Sequence, residues 1–436
     1  MRIHYHTDCY WFGGSEVALL MHLEAAFERE DMEPIFTYRA GAEYESGLRA
    51  QASPRVQARR LRLPDPADLK QALSRGRSPR IAKALRGGVS LLPLRQLCMV
   101  WDIGRMYAEF RAEKPEVVHI NNGGYPGALS CSAAAIAARI AGVPVVVYVV
   151  NNIAVPYERP SRLLDFPLDR VVVRSVDMFV TASMAASKAI GSVLRLPEGQ
   201  HTVIPNAAAS GVVAASRASV RHALRITDDR LVILVMARLE TRKGHRYLLD
   251  AIPLLPQPIG DRVLVLVAGD GPEKAALEAQ AKAMNLAGQV RFLGHREDRW
   301  SLYESADVIV LPSISHEDMP IVIIDAMAAA RPVVASRVAG IPEQVVDGLT
   351  GRLVPPGDSA ALVEALAAIL GDDLGRAAMG EAARHRYEAS YTPRGFIDAY
   401  LRLYASLLAH KRGHPAQPAT DGHEMTPSAG AGSACT

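Results

Sequence analysis

Apolar and polar positions along the chain alternate between short apolar runs and longer stretches with apolar residues at helical spacing. Runs at 2–7, 34–38, 117–120, 143–150 and 177–182 read as buried strands. Between them, 15–29, 91–114, 128–141 and 183–196 read as helices; in the first of these Val17, Leu20, Met21 and Leu23 share one face. The rhythm restarts in the second half. Strands are expected at 231–236, 263–268, 290–293, 308–311 and 333–335, and helices at 273–285, 321–330, 360–370, 376–387 and 396–410. Strands that alternate with helices predict parallel sheets covered on both faces, so the fold class is α/β and doubly wound. Two such series predict two domains, 1–206 and 220–392, joined by an Ala/Ser-rich linker at 207–219. The pattern breaks down after 38, the basic stretch 55–88 reads as an irregular loop, functional or mobile, and residues 413–436, rich in Pro, Ala, Gly and Ser, read as a disordered tail. The turn at 346–351 reads as hairpin-like.

A length of 436 residues agrees with two domains, and 49% apolar with 22% charged residues is ordinary for a globular protein. The net charge of +3 conceals a local excess: residues 55–86 hold ten Lys or Arg against Asp65 and Asp68. Such a segment is either a solvated basic loop or a contact for an anionic acceptor or membrane surface. No nucleic-acid motif accompanies the charge, so nucleic acid is not an expected partner. Cys9, Cys98, Cys131 and Cys435 show no metal-type spacing, which fits a reducing compartment. The N-terminus lacks the apolar core of a signal peptide, and no run is long enough to span a bilayer. The expected location is cytoplasmic, with peripheral attachment to the membrane face as an option.

The chemically densest stretch is 308–346. A strand at 308–311 is followed by a polar turn at 313–318, by Pro320 at the start of a helix, by Arg331-Pro332 as its stop, and by the next strand. The start of that helix offers unpaired N–H groups and positive dipole density to an anion. Glu317 stands just before it and Asp325 about two turns into it. In isolation the two acids also read as a capping residue and a solvated face. Together they suit a ligand with hydroxyls at both ends and phosphate between.

This stretch resembles the donor-site motif of the family 4 retaining glycosyltransferases, a Glu, seven residues and a second Glu. The resemblance implies that Glu317, with Asp318 and Met319, holds the donor sugar, and that Met319, Pro320 and Ile321 meet its diphosphate. Asp325 stands where a Glu is usual and, one methylene shorter, would take the ribose. Arg238 to Gly244 resembles the family's GRL…KG element, which implies Arg238 and Lys243 on the diphosphate. Two cations at a strand–helix junction can neutralise a leaving phosphate, although loop cations are also commonly solvated. Gly13-Gly14, after Trp11-Phe12, resembles the loop that faces the donor phosphates from the other domain; Ser15 is placed to cap the helix behind it. KPEVVHINN resembles a PDVVHxH-like pattern, implying an acceptor-side role for His119 with Asn121 and Asn122; alone, His119 also reads as a hydrogen-bonded strand histidine. Where the family often has a second His, the chain has Asn151, which cannot act as a general base. Phe292, Leu293, Gly294 and His295 would flank the base, and Ile204-Pro205-Asn206, with Ala207 for the usual Gly, is similar to the crossing point between domains.

The resemblance implies the GT-B arrangement: two Rossmann-like domains facing each other over a cleft, with the helix at 393–412 returning to the first. It implies transfer of a hexose-type sugar from a UDP- or GDP-linked donor to a glycan, lipid-linked or small-molecule hydroxyl, with retention and a front-face route. Glu317, Arg238, Lys243 and His119 are the expected catalytic groups. No Asp-x-Asp pair occurs in the chain, and no metal or further cofactor is expected. Two other readings stay open: an epimerase that hydrolyses its donor, recognised by free products from donor alone, and a non-catalytic nucleotide-sugar-binding subunit.

Overall fold

Each half of the chain builds one parallel sheet. The central strands of the second half, LVILVM, VLVLVA and VIVL, are almost wholly Val, Ile and Leu, whereas those of the first half mix these with Tyr, His, Thr and Asn. The structure, a computed structural model, describes residues 1–10, 12–64, 94–158, 160–209, 211 and 216–413. The first sheet contains β1 (Arg2–Thr7), β2 (Glu33–Arg39), β3 (Ala58–Leu61), β4 (Val117–Asn122), β5 (Val145–Val150), β6 (Met178–Thr181) and β7 (His201–Val203), in the order β3-β2-β1-β4-β5-β6-β7. The second contains β8 (Leu231–Met236), β9 (Val263–Ala268), β10 (Val290–Gly294), β11 (Val308–Leu311), β12 (Val333–Ser336) and β13 (Gly351–Val354), in the order β10-β9-β8-β11-β12-β13. All the strand pairings are parallel. The order reverses between β1 and β4 in one sheet and between β8 and β11 in the other, and ligands of doubly wound sheets bind at the carboxyl ends of the strands at such points.

Alternation along the strands sends side chains into two cores per sheet. In the first, Val118 and Ile120 of β4 pack under the helices Leu94–Glu113, Leu129–Ala141 and Phe166–Ser175. Val117 faces the opposite side, where Leu19 and Leu23 of Gly14–Phe27 meet Phe396, Tyr400, Tyr404 and Leu408 of the last helix, Pro393–Lys411. That helix therefore buries its apolar stripe in the first sheet, although the chain before it, Asp373–Ser390, packs on the second. The two crossings run side by side, Tyr387 Oη donating to the Ala208 carbonyl at 2.9 Å.

Several expectations are corrected. Residues 41–64 are not irregular: they form the helix Ala42–Gln51 and the edge strand β3, paired to β2. The helix buries only Tyr44 and Leu48, and β3, of sequence ARRL, buries Leu61, which is too sparse an apolar signal to read. The first basic residues are ion-paired there, Arg55 with Glu28 at 2.9 Å, Arg59 with Glu113 at 2.6 Å and Arg60 with Glu45 at 3.1 Å. The basic segment from 65 on, Trp11, residues 210 and 212–215 of the linker and the expected tail from 414 lie outside the described residues. The helix Arg217–Ala223 begins inside the expected linker. The turn at 346–351 makes no hairpin but delivers the chain to β13, parallel to β12. Phe166–Ser175 was hidden by its β-branched Val171-Val172-Val173, which suggests strand but buries Val172 and Val173 as a helix.

Candidate active site

The donor-side residues converge where β8 and β11 end. After β8 the chain makes a 3-10 turn, Thr241–Lys243, and Gly244 reverses it with φ +70. A Cβ at Gly244 would lie 1.9 Å from the Pro312 carbonyl oxygen, so the loops after β8 and β11 touch only because this residue is glycine. Ile314 N donates to the Arg242 carbonyl at 2.8 Å, and Arg242 Nη1 donates to the His316 carbonyl at 3.0 Å, which clasps the loops further. Glu317, nearly buried, is thereby brought onto Lys243: its Oε1 accepts from Lys243 Nζ and from Ser313 Oγ at 2.8 Å, with Arg242 Nη1 at 3.7 Å. Arg238 Nε is held by Glu240 Oε1 at 2.7 Å, and Glu240 also takes Arg242 Nε at 2.8 Å. Arg238, Arg242, Lys243, Glu240 and Glu317 thus form one charged group beside the start of the helix Ile321–Ala328. Pro320 caps that helix without an N–H of its own, so it shapes the turn, and only Met319 and Ile321 of the expected trio carry an N–H group.

Across the cleft, Gly13 is the N-cap residue of Gly14–Phe27 and makes no side-chain cap bond; Ser15 lies inside the helix rather than capping it. Gly14 faces the donor domain directly, a Cβ there falling 3.7 Å from Ile321 Cδ1. The start of Gly14–Phe27 therefore looks toward the start of Ile321–Ala328.

Next to this gap the domains are joined by a polar seam that the linear pattern did not announce. Ser183 Oγ, at the cap of Met184–Leu194, donates to Asp318 Oδ1. Glu343 accepts from the Met184 and Ala185 N–H groups at 2.7 and 2.9 Å, a carboxylate on a helix N-terminus. Asn206 Nδ2 donates to the Met319 carbonyl at 3.1 Å, so the crossing point holds the donor loop. Gly340 fits here because any Cβ would meet the Asp318 carbonyl oxygen at 2.3 Å.

Burial pushes the Asp318 carboxyl up to about 6, against the pull of the Ser183 hydrogen bond, and its Oδ2 has no partner. Asp325 points from the helix Ile321–Ala328 toward Arg299, whose Nε lies 3.6 Å from Oδ2. Burial raises it too to about 6, with Arg299 opposing, and its Oδ1 is unpaired. A buried oxygen without a donor suits a ligand hydroxyl. Phe292, Leu293, Gly294 and His295 end β10, which is three strand spacings, or about 14 Å, from β11. The Gly294 carbonyl accepts from Gly269 N at 2.8 Å, and His295 is exposed.

On the first domain's side the placement departs from expectation. β4 continues through Asn122, which sets His119 in mid-strand. Its Nδ1 shares a hydrogen bond of 2.6 Å with Tyr404 Oη inside a cluster of Tyr5, His22 and Tyr400, and burial pulls its pKa well down. His119 is a neutral core side chain between the sheet and the last helix, and it does not join the charged group around Glu317. Asn122 organises the following loop, accepting from Ala128 N at 3.2 Å and donating to Tyr148 Oη at 2.9 Å. Asn151 donates to Asn121 Oδ1 at 2.8 Å, and Asn121 donates to Glu16 Oε1 at 2.7 Å. Glu16 also accepts from Thr7 Oγ1 at 2.9 Å and from Tyr44 Oη at 2.6 Å. This buried carboxylate ties the ends of β1 and β4 to the helix behind Gly13-Gly14; burial raises its pKa and its donors oppose the rise. Sequence reading passed over it, although a Glu in the first turn of a helix is a known N-terminal signal.

Residues 216–386 match the family described as glycosyl transferases group 1, and residues 13–207 match the glycosyl transferase 4-like domain. A lipopolysaccharide core biosynthesis glycosyltransferase, LpsE, of Rhizobium meliloti is 31% identical over 247 residues, which are 56% of this chain and 69% of that protein. A phosphatidyl-myo-inositol mannosyltransferase of Mycobacterium leprae is 39% identical over 37% of this chain and 43% of its own length. A D-inositol 3-phosphate glycosyltransferase of Saccharomonospora viridis is 31% identical over 56% and 59%. The chain thus spans about half the length of these last two relatives. Among solved structures, Anabaena HepE in complex with UDP has a TM-score of 0.73 at 20% identity, over 93% of this chain and all of that one. Sucrose-phosphate synthase from Thermosynechococcus elongatus has 0.70 at 19%, over 94% and 100%. Both share the fold.

Proposed function

The chain belongs to the group 1 glycosyl transferases, glycosyltransferase family 4 on the GT-B fold, and we propose that it moves a hexose-type sugar from a UDP- or GDP-linked donor to a hydroxyl of a glycan, lipid-linked or small-molecule acceptor. The observation that carries this reading is the meeting of Lys243 with Glu317 beside the start of the helix Ile321–Ala328, opposite Gly14. Lys243 and Arg238 pair with the diphosphate, and the helix start adds N–H groups. Glu317 and Asp318 hold the sugar, Asp325 the ribose, and the end of β10 the base. The anomeric C–O bond to the β-phosphate breaks with its electron pair passing to the diphosphate. An oxygen of the departing diphosphate takes the proton of the acceptor hydroxyl, which bonds to the anomeric carbon on the same face, so configuration is retained. Negative charge grows on the diphosphate, and cations already in place stabilise it without reorganisation and without a metal. Asn121 and Asn151 border the acceptor side through Glu16.

The names of two relatives, for lipopolysaccharide core and for phosphatidyl-myo-inositol, support trying amphiphilic acceptors first. HepE has been seen with UDP and with UDP-glucose, and one relative is named as GDP-mannose-dependent, so both nucleotides enter the test. The experiment is a thermal-shift panel of UDP-, GDP-, ADP- and dTDP-sugars, with chelator and then with divalent metal. A rise with one nucleotide in chelator is expected. No rise with any of them, or a rise only with metal, contradicts the proposal.

A further inference from the structure

The two ends of the donor site are finished differently. At one end Lys243, Glu317 and Ser313 hold one another by hydrogen bonds. At the other, Asp325 and Arg299 face each other with hydrogen-bonding capacity left over. Arg299 Nε lies 3.6 Å from Asp325 Oδ2, near enough for an ion pair and too far for a hydrogen bond. Among the described residues Asp325 is the only ionic partner of Arg299, and Asp325 Oδ1 has no hydrogen-bond partner. The guanidinium carbon of Arg299 lies 5.5 Å from the Trp300 ring centroid, a contact that steadies the side chain without using its N–H groups.

The chain path sets this pair between the base and the ribose. β10, whose end is assigned to the base, continues through residues 295–298 into the helix Arg299–Ser305, so Arg299 is the first helical residue after that strand. Tyr303 follows one turn later on the same face. Its ring is buried, and its hydroxyl donates to the Val322 carbonyl at 3.3 Å and lies against the Asp325 carboxyl. The helix is thereby held against Ile321–Ala328, which carries Asp325. The Asp325 side chain is 5% exposed and that of Arg299 31%, so the carboxylate lies deep and the guanidinium beside it nearer the surface.

A glutamate at 325 would carry its carboxylate one methylene further out and could accept from both hydroxyls of a ribose. Asp325, with Oδ2 turned to Arg299, has one oxygen left. A vicinal diol does not need a second acceptor, because each of its hydroxyls can donate or accept. One can donate to Oδ1 while the other accepts from a guanidinium N–H, and both bonds are strengthened by charge.

We propose that Arg299 is a specificity-determining residue of the donor site: Asp325 Oδ1 accepts from one ribose hydroxyl and Arg299 donates to the other, so the pair reads a ribonucleotide by both hydroxyls. This rests on the assignment of Asp325 to the ribose and deepens it. A merely structural Arg299, holding Asp325 and the two helices in place, would instead affect every nucleotide alike.

The test is calorimetric titration of UDP, 2′-deoxy-UDP and 3′-deoxy-UDP, or of the guanosine series where that base is the one bound. The wild type should bind each deoxy nucleotide about tenfold or more weakly than the ribonucleotide, since each lacks one hydrogen bond to a charged group. Arg299→Met should weaken the ribonucleotide about tenfold and bind one of the two deoxy nucleotides as the wild type does, the one without the hydroxyl that Arg299 holds. Asp325→Asn should reduce discrimination at the other hydroxyl. Arg299→Lys keeps the charge but not the fork of donors, and should retain part of the discrimination at the first. Melting temperatures are recorded on the same samples, and Arg299→Lys carries the comparison where Arg299→Met lowers stability. Equal weakening of all three nucleotides by the Arg299 variants, or a wild type that binds deoxy and ribonucleotides alike, would overturn the proposal while the donor-site reading stands on binding of the ribonucleotide. No binding of either ribonucleotide by the wild type would overturn that reading and the proposal with it.

Discussion

Replacing Gly244 by Ala should damage the site out of proportion to the single methyl group added. The new Cβ would sit 1.9 Å from the Pro312 carbonyl oxygen, and such contacts below 3.0 Å essentially never occur, so the two loops must part by at least 1.1 Å. A left-handed alanine adds about 1–2 kcal/mol of backbone strain. Together with the clash, a stability loss of about 2–4 kcal/mol is expected. The parting also separates Lys243 from Glu317, because one sits on each loop. A misplacement of about 1 Å at reacting groups commonly costs on the order of a hundredfold in rate. Gly348 supplies the control: it has φ +79 but nothing within 4 Å of a built Cβ, so Gly348→Ala carries the strain without the clash. Urea unfolding and donor affinity would be measured on both variants. Gly348→Ala should lose about 1–2 kcal/mol and keep its donor affinity. If Gly244→Ala proves no worse than Gly348→Ala in either measurement, the claim that these loops are held in register by backbone contact is refuted.

Asp325→Asn should change the pH dependence of stability. A carboxyl raised from 3.8 to about 6 contributes stability that is full below pH 4 and is lost as the pH climbs through about 6. The free energy of the variant relative to wild type should therefore grow by about 2–3 kcal/mol between pH 4 and pH 7, and a flat difference would contradict the buried, poorly partnered acid. His119→Phe should lower stability by about 1–3 kcal/mol through the abandoned Tyr404 hydroxyl, with donor affinity and turnover kept; loss of turnover at unchanged affinity would restore a catalytic role. Asp307→Ala removes a carboxylate that holds Arg217 at 2.7 Å, Arg221 at 3.6 Å and the Val232 N–H at 2.7 Å, and should cost about 3 kcal/mol in calorimetry without touching donor binding.

The residues that sequence alone could place are those at the ends of strong apolar strands. β8, but for a half-buried Met236 at its end, and β11 are aliphatic and buried, so the polar residues after them, Arg238, Lys243 and Glu317, had to sit together at the carboxyl edge of one sheet. The expected end of β4 fell two residues short, so His119 lies further from the strand's carboxyl end than expected. Asn121 and Asn122 look like loop, yet Asn121 pairs with Thr7 and Asn122 with Val150 in the ladders, and their side chains are satisfied by Glu16 and Tyr148. The seam of Ser183 with Asp318 and Glu343 with Met184 was invisible for another reason. Its members are 135 and 159 positions apart, and no periodicity links residues across a domain interface. The edge strand β3 was missed because an edge carries half the apolar signal of an interior strand.

The central claim is that Lys243 and its neighbours bind a nucleotide through its diphosphate. Calorimetric titration of UDP and UMP, or GDP and GMP if guanosine is the base bound, against the wild type and Lys243→Ala tests it most directly. The diphosphate should bind the wild type, and Lys243→Ala should weaken it about tenfold or more while leaving the monophosphate nearly unchanged. Equal weakening of both nucleotides, or of neither, would contradict the assignment of Lys243 to the diphosphate.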